Sequence, residues 1–325
     1  MRLESRSNPP PPKVERADLE GSGGSRAPQT GNESAPISPS AEYFVRQGKA
    51  PPEVLESIIG EDERVRILDT HLMPWRMICQ LQIQGSSGAA IGTGCLVGPH
   101  TVLTAGHCVH NAAIGGWAQR IIVTPGMNRD RADHGSVVAC RFSTLDDWVA
   151  SHAHFSPEQK ADVDVGVIHL NDPENILDEK RKPMLKDGKV DASKAALGER
   201  IGWFGIAVRS DDDLSERYVH VAGYPGEPDK GFGREMWAHR STVLTTTPLR
   251  VYYDVDTTPG QSGAPTFVIE SNPQAPIVIA VHAYGTGGTA ERLGVRANSA
   301  PRITRELFET IQYWIDNGPG ESEGG

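Results

Sequence analysis

From residue 57 onward the chain is punctuated into short apolar runs, each bounded by turn residues. Among them are "WRMICQLQI", "TGCLVG", "TVLTAG", "QRIIVTPG", "VDVGVIHL", "RYVHVAGYPG", "LRVYYDV" and "APIVIAVHAYG". These are strand lengths, and many of the residues are β-branched; a helix would need longer stretches with apolar positions three and four apart. The spacing restricts the body to an all-β sandwich or barrel. The 35 Gly and 24 Pro supply the turns that so many short strands require. Only the end of the chain breaks the pattern. "TRELFETIQYWIDNG" puts Leu307, Phe308, Ile311, Trp314 and Ile315 on one helical face, with Thr304 as N-cap and Gly318 as stop. The prediction is an all-β body closed by one helix over 304–317.

Residues 1–56 differ in texture. They are rich in Pro, Ser, Gly and charge, and cannot bury enough apolar surface to offset their chain entropy, so they read as a disordered tail or pro-segment. The remainder of the 325 residues is long enough for a sizeable core. A net charge of −10 disfavours nucleic acid as a partner, because phosphates repel it. No run of about 18 apolar residues predicts a membrane-spanning helix. "MRLESRSNPPPPKVERADLEG" has no apolar h-region, which points to the cytoplasm or to a non-Sec export route. Cys79, Cys95, Cys108 and Cys140 lack zinc-type spacing and allow three pairings if all are oxidised, or buried thiols if they are not. No metal and no cofactor is predicted. The paired His152 and His154 of "SHAHF" read as a surface loop.

One turn carries more than steric information. In "TTPGQSGAPTF" a single serine, Ser262, stands between Gly260 and Gly263. A serine hydroxyl is a poor nucleophile unless a base lies within hydrogen-bond reach and a third group orients that base. "TVLTAGHCVH" offers His107 after an apolar strand, and "ADVDVGVIHL" offers Asp164 within one. Asp162 is the rival acid two residues earlier. An acid in an apolar strand is costly to bury without a partner. The order His107, Asp164, Ser262 is one of the known orders of a nucleophile–base–acid set.

These blocks carry a resemblance. "TAGHC", "DVGVI" and "GQSGAP" resemble the three catalytic blocks of the chymotrypsin-like serine proteases, and most closely the glutamyl endopeptidase (V8-like) branch. "SIIGEDERVRILDT", "PWR", "GPHTVLTAGHCV", "HGSV", "VAGYPG", "VHAYG" and "RITRELFE" recur in the same order, covering 57 to about 317. The resemblance implies two antiparallel six-stranded β-barrels, the first over 57–190 and the second over 191–303, with the site in the cleft between them. It implies His107 as general base, Asp164 as its orienter and Ser262 as nucleophile, with the N–H groups of Gly260 and Ser262 as oxyanion hole. Gly260 would turn its amide toward the developing oxyanion, where one donor is worth about 3 kcal/mol of barrier. The substrate would be a protein or peptide and the enzyme a monomer, secreted as the resemblance suggests.

Specificity has two readings. In the glutamyl branch a histidine, a hydroxyl and the mature α-amino group hold the carboxylate of the residue before the cut. His282, Thr257 and Ser57 match those positions, and cleavage between Glu56 and Ser57 would create that amine and release residues 1–56. The rival is Asp256, six residues before Ser262, which would select Arg or Lys. A protease-like binding module is the non-enzyme alternative. "GTGGTAERLG" from Gly285 reads as a loop along the cleft. Relatives often bridge the cysteine at the Cys108 position to a partner near Gly92; here the nearby cysteine is Cys95, which reads equally as a buried apolar residue.

Overall fold

The computed structural model describes residues 14–17, 57–170, 176–177, 185–186, 189–190, 197–270, 275–285 and 289–318. The apolar runs form strands in two sheets. The first is built from β1 (Ile78–Gln84), β2 (Ala89–Leu96), β3 (Thr101–Thr104), β4 (Arg120–Pro125), β5 (Ser136–Ala139), β6 (Arg141–Leu145) and β7 (Gly166–His169). They run in the order β6-β7-β3-β2-β1-β4-β5, and every pairing is antiparallel. β5 and β6, at opposite ends of this order, are separated in the chain by Cys140 alone, so the chain bends there from one side of the sheet to the other; Val14–Ala17 pair with the outer edge of β6 and Ile176–Leu177 with that of β5.

The second sheet holds β8 (Tyr218–Gly223), β9 (Trp237–Thr246), β10 (Arg250–Tyr253), β11 (Pro265–Val268), β12 (Ile277–Val281) and β13 (Asn298–Pro301), in the order β12-β11-β8-β9-β10-β13. Bridges Ala280–Arg302 and Tyr284–Ser299 join its ends. The β-branched inward positions fill the core: Val219, Val221, Val243, Val251, Val268 and Ile279 are buried together in this half. The fold is chymotrypsin-like and mostly β.

The C-terminal helix α2 (Arg305–Asn317) forms as its caps predict. The Thr304 hydroxyl accepts the Leu307 N–H at 3.2 Å, and Gly318, at φ +60°, donates to the Trp314 carbonyl at 3.1 Å. Leu307, Ile311 and Trp314 are buried, while Phe308 and Ile315 pack half-buried against the core. Ile315 lies on Gly98, where an added Cβ would stand 3.0 Å away.

Four readings change. Short helices fill connections that the strand pattern does not predict, such as Asp146–His154 and Pro157–Asp162. The second has a capping box, with Ser156 and Gln159 bonded to each other's backbone N–H, because a serine before a proline-started turn satisfies orphan amides. Asp164 lies before β7 rather than inside it, and Asp162 ends a helix. "GTGGTAERLG" holds a helical turn at Thr289–Arg292; residues 286–288 lie outside the described residues. Most of 1–56 also lies outside them, but Val14–Ala17 form a strand antiparallel to β6.

Candidate active site

His107 sits on the short helix α1 (Gly106–Val109), which directly follows β3. Gly106 permits the close approach of that turn to the acid, since an added Cβ would stand 3.0 Å from Asp164 Oδ1 and 3.1 Å from Trp148. Asp164 is fully buried. Its Oδ2 accepts from His107 Nδ1 at 2.7 Å and its Oδ1 from the His107 backbone N–H at 2.7 Å. Two bonds to one residue fix the imidazole tautomer and its direction. Burial opposes charge on His107, but the adjacent Asp164 carboxylate outweighs it and holds the imidazole well above the ordinary histidine range. The rival Asp162 does not meet His107; it lies 3.9 Å from Arg250 Nε, and burial pushes its carboxyl up.

Ser262 is buried at 7 % exposure in a turn that two glycines make possible. Gly260 has φ +104° and Gly263 φ +84°, left-handed backbone in which a side chain is strained. A Cβ on Gly263 would also lie 2.1 Å from the Thr93 carbonyl oxygen. The turn is pinned to the first barrel. Thr93 of β2 donates its N–H to the Ser262 carbonyl at 2.9 Å and its hydroxyl to the Gly260 carbonyl at 2.8 Å. Cys108, the residue after His107, approaches the Ser262 carbonyl at 3.7 Å, so the serine turn abuts the histidine helix. Cys108 and Cys95 are both free thiols. The position against Cys108 is Gly92, whose added Cβ would stand 2.9 Å from Sγ.

Beside the serine, Thr257 is fully buried and its hydroxyl has no hydrogen-bond partner among the described residues. His282 lies at the end of β12, with Nδ1 2.6 Å from the Tyr253 hydroxyl. Ser57 lies against Thr257, accepting its N–H at 3.4 Å, and is held by Asn298, which accepts the Ser57 N–H at 3.1 Å and donates to its carbonyl at 2.6 Å. Asp256 is engaged elsewhere. Its Oδ1 accepts from Ile59 N–H at 2.6 Å and its Oδ2 from Glu63 N–H at 2.9 Å. Glu63, His239 and Asp256 could place three ligand atoms within 4.8 Å of one another, but His239 Nδ1 accepts the Asp256 N–H at 2.8 Å and both Asp256 oxygens are bonded to backbone. The cluster therefore anchors the segment from Ile59 to Glu63 to the second barrel.

Sequence reasoning missed four residues: Thr93, Asn298, Tyr284 and Arg64. The Tyr284 hydroxyl donates to Asp164 Oδ2 at 2.7 Å. The fully buried Arg64 side chain reaches the residue before the serine, donating to Gln261 Oε1 at 2.9 Å and to the Thr258 hydroxyl at 2.6 Å, and it pairs with Asp62 and Glu227.

The two β sheets and the C-terminal helix are those of a chymotrypsin-like serine endopeptidase, and in this chain a buried imidazole–carboxylate pair abuts a glycine-held serine turn. The family profile described as Trypsin matches residues 69–303. The chain belongs to that family. It is 30 % identical over 266 residues to a glutamyl endopeptidase of Bacillus licheniformis, covering 81 % of this chain and 70 % of that one. It is 31 % identical over 262 residues to a Bacillus subtilis protein named extracellular metalloprotease, covering 80 % of this chain and 70 % of that one. Among solved structures, a Glu endopeptidase in complex with MPD aligns at TM-score 0.60 and 24 % identity, over 80 % of this chain and 99 % of that one. The thermostable serine protease AL20 aligns at TM-score 0.54 and 17 % identity, over 75 % and 98 %. Among the described residues no helix is long and apolar enough to cross a membrane.

Proposed function

We propose that this endopeptidase cuts after glutamate, and less well after aspartate, through an acyl-enzyme on Ser262. His107 takes the Ser262 proton as the hydroxyl attacks the peptide carbonyl, then returns it to the leaving amine; water repeats the cycle. Asp164 orients His107 and balances the imidazolium. The N–H groups of Gly260 and Ser262 receive the oxyanion. Thr257, His282 and the α-amino group of Ser57, freed by cleavage after Glu56, take the substrate carboxylate. A cation and hydroxyl donors suit an anionic side chain.

The observation that carries this reading is the occupation of Asp256. Both of its oxygens already accept backbone N–H groups of Ile59 and Glu63, so its charge is not offered to an incoming Arg or Lys. The buried Thr257 hydroxyl, which has no partner among the described residues, and the seating of Ser57 beside it point the same way. The name of one relative, glutamyl endopeptidase, is consistent with it, and that of the other, extracellular metalloprotease, supports only the location outside the cell. Secretion, and action as a monomer, complete the proposal.

Matched fluorogenic peptides with Glu or Arg before the cut test it, using the wild type and Ser262→Ala, with N-terminal sequencing to show the state of residues 1–56. Cleavage of the Glu peptide alone, lost in Ser262→Ala, is expected. Cleavage of the Arg peptide overturns the glutamyl reading, and fully active enzyme with an intact Met1 overturns the role of Ser57.

A further inference from the structure

The Asp164 carboxylate receives a donor from the opposite barrel. Tyr284 follows β12, two residues beyond His282, and is 5 % exposed. Its hydroxyl donates to Oδ2 at 2.7 Å, the same oxygen that accepts from His107 Nδ1 at 2.7 Å. We propose that Tyr284 is a positioning residue of the catalytic pair, sharing Oδ2 with His107 and so limiting how firmly Asp164 holds a proton on the imidazole. This rests on the reading of His107 as general base and Asp164 as its partner.

The physical argument concerns charge sharing. A hydrogen bond to an ionised carboxylate stabilises that charge. While His107 is neutral, Asp164 carries a full buried charge, and the phenol bears part of it. Once His107 is protonated, the imidazolium balances the charge and the phenol contributes less. Loss of the hydroxyl therefore destabilises the neutral-histidine state more than the charged one, and the imidazole keeps its proton to a higher pH. A general base must be unprotonated to act, so this shift is visible in rate. Burial first, and the Asp164 charge second, push the Tyr284 phenol well above its usual range, so it remains a donor.

The groups around the pair are accounted for. Arg250 lies with its guanidinium carbon 5.2 Å from the Tyr284 ring centre and its Nε 3.9 Å from Asp162. From the first barrel, Cys108 adjoins His107, the Trp148 ring lies 6.4 Å from the imidazole, and the neutral Thr144 hydroxyl donates to the Val165 carbonyl at 2.7 Å. Arg250 and Asp162 are untouched by a change at Tyr284 that removes only the hydroxyl.

The test is the pH dependence of kcat/KM on the Glu peptide for the full chain, as wild type, Tyr284→Phe, Asp164→Asn and the double variant. Tyr284→Phe keeps ring and packing, and its urea midpoint reports folding. We expect its maximal rate to stay within about tenfold of wild type while its acidic limb moves up by roughly half a pH unit. Asp164→Asn is expected to lose about 10⁴ in kcat, and Tyr284→Phe to add no further shift in that background. A uniform loss of rate with an unmoved acidic limb, or no change at all, overturns the role of Tyr284 and leaves the triad reading standing if Asp164→Asn is inactive. An active Asp164→Asn enzyme overturns both.

Discussion

Thr93 and Gly260 are bonded across the two barrels, the hydroxyl of one donating to the carbonyl of the other at 2.8 Å. The same hydroxyl accepts the Tyr224 N–H at 3.0 Å, and the Thr93 backbone N–H holds the Ser262 carbonyl. One side chain of β2 thus sets the backbone of the serine turn. Thr93→Val keeps the shape and removes the hydroxyl, leaving a buried carbonyl and a buried N–H without their partner. Each such loss costs about 1–3 kcal/mol. We expect the unfolding free energy from urea denaturation to fall by at least that much, and a fall in kcat larger than the rise in KM, because the turn rather than the substrate pocket is disturbed. An unchanged kcat in a folded variant would remove Thr93 from the account.

Asp256→Asn separates anchoring from specificity. The carboxylate accepts two backbone N–H groups from the N-terminal segment, and hydrogen bonds to charged groups contribute about 1.5–3 kcal/mol each. The amide can accept at one oxygen only. Loss of stability of about that size is expected by chemical denaturation, with the ratio of Glu to Arg cleavage unchanged. By contrast, His282→Ala should lower kcat/KM on the Glu peptide by at least tenfold while leaving an uncharged P1 peptide nearly untouched. If the wild type does cut the Arg peptide, loss of that cleavage in Asp256→Asn would place Asp256 in the pocket.

How far these relationships were legible in the sequence depends on their range along the chain. The strands, α2 and its caps are local: period, propensity and a serine-type cap act within a few residues, and they read correctly from "TVLTAG" or "TRELFETIQYWIDNG". The His107–Asp164 contact and the tight turn at Ser262 are legible in outline, because each residue sits in a short block with distinctive turn residues. Thr93, Arg64, Tyr284 and Asn298 are not. Each is an ordinary residue in its own segment and acquires a role only when closure of a barrel brings it to a partner more than a hundred residues away. The capping box of Ser156 and Gln159 is a local signal that could have placed the helix before Asp164, and with it the separation of Asp162 from His107.

Gly92 offers a gain of stability. An added Cβ would stand 2.9 Å from Cys108 Sγ and no closer than 3.4 Å to Ile83 or the Ser262 carbonyl. That is about the distance between the Cβ of one half-cystine and the sulfur of the other. Gly92→Cys should therefore bridge to Cys108 under oxidising conditions. Closing a loop of about 15 residues contributes about 3 kcal/mol in the chain-entropy view. The expected result is a higher melting temperature that falls back on reduction, with the bridge seen by mass spectrometry. Two free thiols after oxidation would show that β2 and α1 approach differently.

His220 makes the fold sensitive to mild acid. Its ring stacks on Phe267 with centres 5.2 Å apart. Burial, with the Arg240 charge as a second cause, pushes its pKa down to about 4. The unfolded chain keeps an ordinary histidine near 6.5. Between those values the unfolded state binds a proton that the folded state refuses, so stability rises with pH through this window and is lost as pH falls from about 6.5 toward 4. His107 works in the opposite sense: its folded-state affinity for a proton is raised by Asp164, so its contribution is present at low pH and fades as pH climbs. The two are separated by the window. Urea midpoints measured from pH 7 to pH 4.5 should decline in the wild type, and His220→Gln, which carries no titrating proton, should flatten that decline while leaving the high-pH side unchanged. A slope identical in both proteins would move the acid sensitivity to His134, whose proton affinity burial also lowers; the Asp62 carboxyl, held well below its usual range by Arg64 and Lys230, gives up its contribution only below about pH 4.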